Sequence, residues 1–365
     1  MNPPENAAEI NHKLEIIRSA LKDTGAAAVR LRGTDWFAWA TAGGSNTVLL
    51  AAETGVAEVL ITAENAWILT DEIEARRLQE EEVRVGYDWS INPWAAADQR
   101  EAFVESVSHG LVLSDRPTGA EKALPPSLVQ AKQTLLPSEI ERYRQVGRLA
   151  SQAMTATLQQ AQPDWTEQQL AGAGAAALWE RGLHPTLTLV AGERRLPIHR
   201  HATAKDEPLG QVAMLVFCAR GFGLYANLTR FVAFGSLSPE HEDLHRQVRE
   251  VEAAALNQCQ NGTPLNQIYF TLKQAYVDQG HPNAIQEHHQ GGTTGYLSRE
   301  IVANPGTDNA LTAPIAMAWN PSLPGAKIED TFLLQPDGAL ENLTYDPDWP
   351  HVDVQGRHRP IPLVR

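Results

Sequence analysis

At 365 residues the chain is too long for one small hydrophobic core, so two domains are the natural expectation. Hydrophobic residues at 43% and charged residues at 20% are ordinary for a globular protein, while a formal net charge of −14 argues against nucleic acid or an anionic membrane as partner. No apolar run approaches the roughly eighteen residues of a membrane span, and MNPPENAAEINHK has no basic start before an apolar stretch. The two cysteines, Cys218 and Cys259, are too few for a disulfide framework, and the cytoplasm is the expected compartment.

In chain order, Ile10, Leu14, Ile17 and Leu21 recur at helical spacing and predict an amphipathic helix over 9–24. Strands are expected at 26–31, 47–50, 56–61 and 66–70, with a turn at Thr62-Ala63-Glu64-Asn65. Residues 71–82 read as a charged helix with Arg76–Glu80 and Arg77–Glu81 pairs. A helix over 99–107 and a strand over 111–114 complete an α/β domain assigned to residues 1–125. The proline-punctuated stretch Thr118 to Pro126 leads into a linker placed at 126–136.

A second domain is expected over 137–365. Ser138 is the expected N-cap of its first helix, and Asp164 or Thr166 that of the next, which Gly182 ends. A strand at 187–190 precedes Pro197-Ile198-His199-Arg200-His201. Met214 to Ala219 is apolar enough for a strand buried on both faces, with Cys218 an inert thiol in it. The turn Arg220-Gly221-Phe222-Gly223 then joins it to a strand from Leu224 to Phe234, through two glycines that permit positive φ. Helices at 238–259, capped by Ser238, and at 266–279 precede strands at 312–319 and 326–334 and a polar, proline-rich tail.

Several motifs carry a resemblance that covers nearly the whole chain. Asn227-Leu228-Thr229-Arg230 with Gly235, Gly292-Thr293-Thr294-Gly295, Ala318-Trp319-Asn320-Pro321 and Lys327-Ile328-Glu329-Asp330-Thr331 fall in order along it. Together they resemble the landmarks of the pita-bread superfamily: methionine aminopeptidase, aminopeptidase P, prolidase and creatinase. The resemblance implies a creatinase-type N-terminal α/β domain, a C-terminal pita-bread domain of α+β type with a curved antiparallel sheet, and a homodimer. It also implies five metal-ligand positions, two Asp, one His and two Glu, which in this sequence fall on Val216, Asn227, Thr293, Asn320 and Glu329. Only Glu329 keeps a ligand of the family type. Hard divalent ions need anionic oxygens, so neither a metal nor another cofactor is expected.

What chemistry remains rests on fewer residues. His199 lies seventeen residues before Val216, where the resemblance implies a substrate-binding histidine. Creatinase, which works without metal in this superfamily, suggests His199 and Glu329 as the catalytic pair. His201 would share a strand face with His199, unless both are exposed loop residues. His288 and His289, adjacent in sequence, would diverge on a strand, which makes a metal shared by the two unexpected; His289 is placed at the pocket rim, and a replacement metal site from His199, His201, His289 and Glu329 is chemically open though no spacing demands it. Arg230, with Arg220 and Lys327, suits a carboxylate-bearing ligand, the alternative being a structural ion pair. Asn227, Thr293 and Asn320 are further ligand-binding candidates. Trp36, Trp39, Trp319 and Phe222 line a pocket or fill cores.

The sequence therefore points to a prolidase- or aminopeptidase P-like homologue without the two-metal centre, metal-independent or inactive on X-Pro peptides. Its expected ligand is a small peptide or amino-acid-like molecule. An active proline-specific dipeptidase or aminopeptidase and a protein-interaction scaffold stand as the alternatives.

Overall fold

The computed structural model describes residues 6–365. They fall into two compact units: the chain up to Glu139 together with Phe222–Leu224, and Ile140–Gly221 together with Tyr225–Arg365.

In the first unit the helix Ala7–Thr24 buries Ile10, Leu14, Ile17 and Leu21, the stripe expected from their spacing, and Gly25 ends it in the left-handed region. The unit's sheet uses β1 (Ala28–Gly33), β2 (Thr54–Thr62), β3 (Ala66–Asp71), β4 (Asp88–Asn92), β5 (Val112–Ser114) and β6 (Lys122–Ala123). Its order is β4-β3-β2-β1-β5-β6. The helix Asp98–Ser108 packs Val104 with Ala28, Leu60 and Leu69.

Three expectations change here. Residues 47–50 form no strand, and Val48 and Leu49 are exposed. The charged segment is a short helix, Ala75–Arg77, continued by a π-helical turn, Leu78–Glu82. Arg76 pairs with Glu80 at 2.8 Å, but Arg77 takes Glu74 at 2.6 Å rather than Glu81. The stretch expected as a linker contains the helix Pro126–Gln133, started by Pro126 at its first turn, where a missing N–H costs nothing.

The second unit carries β7 (His184–Gly192), β8 (Val212–Gly221) and β9 (Leu224–Ala233), extended by β19 (Leu363–Val364) in the order β19-β9-β8-β7. The β8–β9 turn places Phe222 at φ 52° and Gly223 at φ 78°. Two consecutive left-handed residues make the primed turn whose twist suits a two-residue hairpin. The expected permissive pair was Gly221 and Gly223; the backbone instead bends one residue later, through Phe222.

A second sheet joins β10 (Gly291–Thr294), β11 (Ile301–Val302), β12 (Ile315–Trp319), β15 (Asp330–Leu334) and β16 (Leu340–Asn342) in the order β11-β10-β12-β15-β16, while β13 (Ser322–Leu323) pairs with β14 (Ala326–Lys327) and β17 (His351–Val354) with β18 (Arg357–Pro360). On one face Ile315, Met317, Trp319, Phe332 and Leu334 pack with Val251, Leu256, Ile268 and Leu272 of the helices Pro239–Gln258 and Leu265–Asp278. The helix Pro137–Gln160 carries Gly147, where a Cβ would meet the Leu343 carbonyl oxygen at 2.1 Å. The following helix, Glu167–Glu180, starts in a capping box on Thr166, so Asp164 is not the cap, whereas Ser238 is one as expected. The two sheets meet where Thr229 of β9 bridges Glu329, just ahead of β15.

Candidate functional site

That bridge is the centre of the site. The Glu329 side chain is buried, and a carboxylate there needs compensation. Arg299 Nη2 lies 2.5 Å from Oε1 and Lys327 Nζ 3.2 Å from Oε2, to which the Thr229 hydroxyl also donates at 3.2 Å. Burial alone would raise the Glu329 carboxyl, but Lys327 and Arg299 override it and hold the group down at about 2. Glu329 is thus ionised and saturated on both oxygens by its own chain.

Asn227 stands two residues before Thr229 and so on the same face of β9. Its Nδ2 donates to Thr294 Oγ1 at 3.1 Å and to the Ser298 carbonyl at 3.4 Å, while its main chain exchanges hydrogen bonds with the Thr331 hydroxyl. Asn227 Oδ1 and Asn320 Oδ1 are both buried without a hydrogen-bond partner among the described residues. Val216 is buried in an apolar cluster with Met214, Leu189 and Phe231. Cys218 shares its strand face, and burial followed by the Glu329 charge pushes the thiol up to about 12. It is an inert thiol lying beside the site.

Three imidazoles lie close by. His288 Nε2 is 2.9 Å from His201 Nε2, and the His288 and His289 rings stack at 4.6 Å and 22°. Burial, reinforced chiefly by Lys327, lowers His288 to about 2, and burial with Arg299 lowers His289 to about 4. His201 is lowered for the same reasons, burial first and Lys327 second. All three are neutral at pH 7. The expected divergence of His288 and His289 fails because the chain bends there instead of running as a strand.

Three sequence candidates, Thr293, Arg230 and His199, are not brought to this cluster. The Thr293 side chain follows its partners Met317 and Phe332 onto the core face, and its hydroxyl accepts from the Ile301 N–H at 3.1 Å. The residues of β10 on the Asn227 side are Gly292 and Thr294, and a Cβ on Gly292 would meet the Ile301 carbonyl oxygen at 2.0 Å. Arg230 points to the opposite face of β9 from Asn227, where it binds Asp330 Oδ1 at 2.7 Å and the carbonyls of Thr229, Glu329 and Thr344. The structural ion pair is the reading that holds.

His199 and His201 sit in turns after β7 rather than on a strand. No hydrogen bond, ion pair or ring contact joins His199 to Glu329 or to the other histidines among the described residues. It lines a recess with Arg200, Met214, Phe231, Ser322 and Lys327. The expected His199–Glu329 catalytic pair is not assembled, since Glu329 is spent on Arg299 and Lys327.

Arg299 was the residue that sequence reasoning missed. Its signal was indirect: a buried Glu329 demands a cation, and Lys327 two residues away supplies only one contact. Nothing in the spacing of Ser298-Arg299-Glu300 reveals a partner thirty residues on.

This architecture is that of a peptidase fold. Residues 141–336, more than half of the chain, match the family described as "Metallopeptidase family M24", and the chain belongs to that family. Among solved structures it is similar to the Xaa-Pro dipeptidase from Bacillus anthracis, at 18% identity and a TM-score of 0.79, over 98% of this chain and 100% of that one. It is also similar to the prolidase from Pyrococcus horikoshii OT3 (17%, 0.78, 92% and 98%) and to the X-Pro aminopeptidase from Thermotoga maritima MSB8 (18%, 0.77, 96% and 99%). These matches establish the pita-bread fold. No curated protein matches the chain.

Proposed function

We propose that this M24 member binds a small carboxylate-bearing ligand, peptide- or amino-acid-like, and does not hydrolyse X-Pro peptides through a pair of divalent metals. The observation that carries this reading is the charge balance at Glu329: one buried carboxylate against Arg299 and Lys327. The family's metal pair does not fit the donors present. Val216 offers no ligand atom, Asn227 and Asn320 offer neutral oxygens, Thr293 is turned to the core, and both Glu329 oxygens are committed. A hard cation beside two resident cations would gain no anionic ligand in return for its lost hydration.

The same features suit an anion. A ligand carboxylate can share the guanidinium and ammonium that Glu329 does not neutralise. The buried Asn227 and Asn320 oxygens, without a partner among the described residues, are acceptors for the ligand's N–H groups. The test is direct. The protein, incubated with manganese or cobalt and X-Pro dipeptides, is expected to release no proline. A panel of dipeptides and N-acyl amino acids is expected to raise its melting temperature, the matching carboxamides are not, and Arg299→Ala abolishes the rise. Metal-dependent X-Pro cleavage, or an equal response to carboxamides, sinks the reading.

A further inference from the structure

The geometry points to a mononuclear transition-metal site at His201, His288 and His289, distinct in donors from the family's carboxylate-rich pair. One nitrogen from each ring falls within 4.8 Å of the other two. The His201 and His288 Nε2 atoms are already 2.9 Å apart. Four-coordinate zinc with bonds of about 2.0–2.1 Å sets its ligand nitrogens about 3.3 Å apart. The His201 and His288 rings must therefore open slightly to admit the ion. His201 and His289 are exposed and free to make that adjustment, while His288 is buried and fixes the site's position.

The local backbone favours this use. His288 and His289 lie parallel because the chain bends after the short 3-10 turn Ala284–Gln286, and Gln290 holds the bend by donating to the His288 carbonyl at 2.5 Å. His288 Nδ1 is buried with no hydrogen-bond partner among the described residues. With the Nε2 atoms of His201 and His288 turned towards each other, one of the two must carry a proton in the metal-free protein, and coordination of both replaces that contact. Three imidazoles and no carboxylate select a borderline ion of the zinc, nickel or cobalt class over manganese or magnesium. Glu329 does not serve as the fourth ligand, being held by Arg299 and Lys327. The open position is then left to water or an exogenous anion.

The inference goes beyond the carboxylate-binding reading and fails separately from it. Full-length protein made without a polyhistidine tag is stripped with EDTA, then titrated with cobalt(II) and followed by its visible absorption and by metal analysis. One cobalt per chain, with the intense bands of four-coordinate cobalt, is expected, and binding at least tenfold weaker in His288→Ala. Should His288→Ala fail to fold, His201→Gln and His289→Gln, at exposed positions, carry the same expectation. His351→Gln, which alters an exposed histidine outside the cluster, is expected to bind as the parent does. No stoichiometric uptake, or uptake unchanged by the cluster variants, overturns the proposal. The carboxylate-dependent rise in melting temperature, measured on the stripped protein, reports on the other reading alone.

Discussion

Glu329 and Asp330 are neighbours in sequence and both are buried, yet they anchor two different kinds of ion cluster. Asp330 takes Arg230 at 2.7 Å, Arg359 at 2.9 Å and the Thr344 hydroxyl at 2.7 Å. Arg359 in turn grips Glu252 in a bidentate pair at 2.6 and 2.7 Å. Two carboxylates meet two guanidiniums, so the cluster is electrically balanced and closes on itself. On the other side of the chain, Glu329 faces Arg299 and Lys327, with amide oxygens that have no partner among the described residues and three neutral imidazoles nearby. Burial demands compensation in both places. The balanced cluster is a structural rivet, and the unbalanced one has charge left for a ligand.

The largest expected effect falls on the balanced side. Asp330→Asn leaves Arg230 and Arg359 short of a buried counter-charge and is expected to destabilise by on the order of 3–5 kcal/mol, read from the denaturation midpoint. It should leave the melting-temperature increment from a carboxylate ligand intact. If the increment disappears with the fold still present, the two clusters are not separate in function.

Glu329→Gln should behave differently. Loss of a charged hydrogen-bond acceptor costs on the order of 2 kcal/mol, while the freed cations bind a ligand carboxylate more tightly. A less stable protein with a larger ligand-induced shift is the expected combination. A smaller shift would mean that Glu329 contacts the ligand itself.

Acid should separate the two regions further. Glu329 is held at about 2 against an ordinary value of 4.5, so its stabilisation is complete above pH 4.5 and is lost as pH falls from there towards 2. His245 lines a recess with Arg230 and Lys327, and burial lowers it from 6.5 to about 3. An unfolded chain takes up that proton below pH 6.5 and the folded chain does not, so stability falls between pH 6.5 and 3. Each contributes a slope of about 1.4 kcal/mol per pH unit across its window. His288 and His289, lowered to about 2 and about 4, add to the same loss, so His245→Phe should reduce the slope between pH 6.5 and 3 without abolishing it, and an unchanged slope would exclude His245 as a contributor.

The smallest effect belongs to a solvated ion pair. Arg76→Ala removes an exposed partner of Glu80 at 2.8 Å and should leave the denaturation midpoint unmoved. A clear loss there would mean that surface pairs, and not the buried clusters, dominate the protein's electrostatics.

Much of this was legible in the sequence. The order of landmarks, the helix stripe of Ile10, Leu14, Ile17 and Leu21, the Ser238 cap and the β8–β9 hairpin are local features, set by periodicity and backbone chemistry within a few residues. The survival of Glu329 as the one acidic residue among the five ligand positions was equally plain. What only the tertiary structure decided is which side chains face it. Strand register turned Thr293 to the core and Arg230 to Asp330, since a pleated strand alternates its faces and only the partner strands decide which one is buried. The bend at His288 stacked two rings that a strand would have separated. Arg299 reached Glu329 across thirty residues because a buried carboxylate takes whatever cation the fold delivers, and no local pattern records that choice.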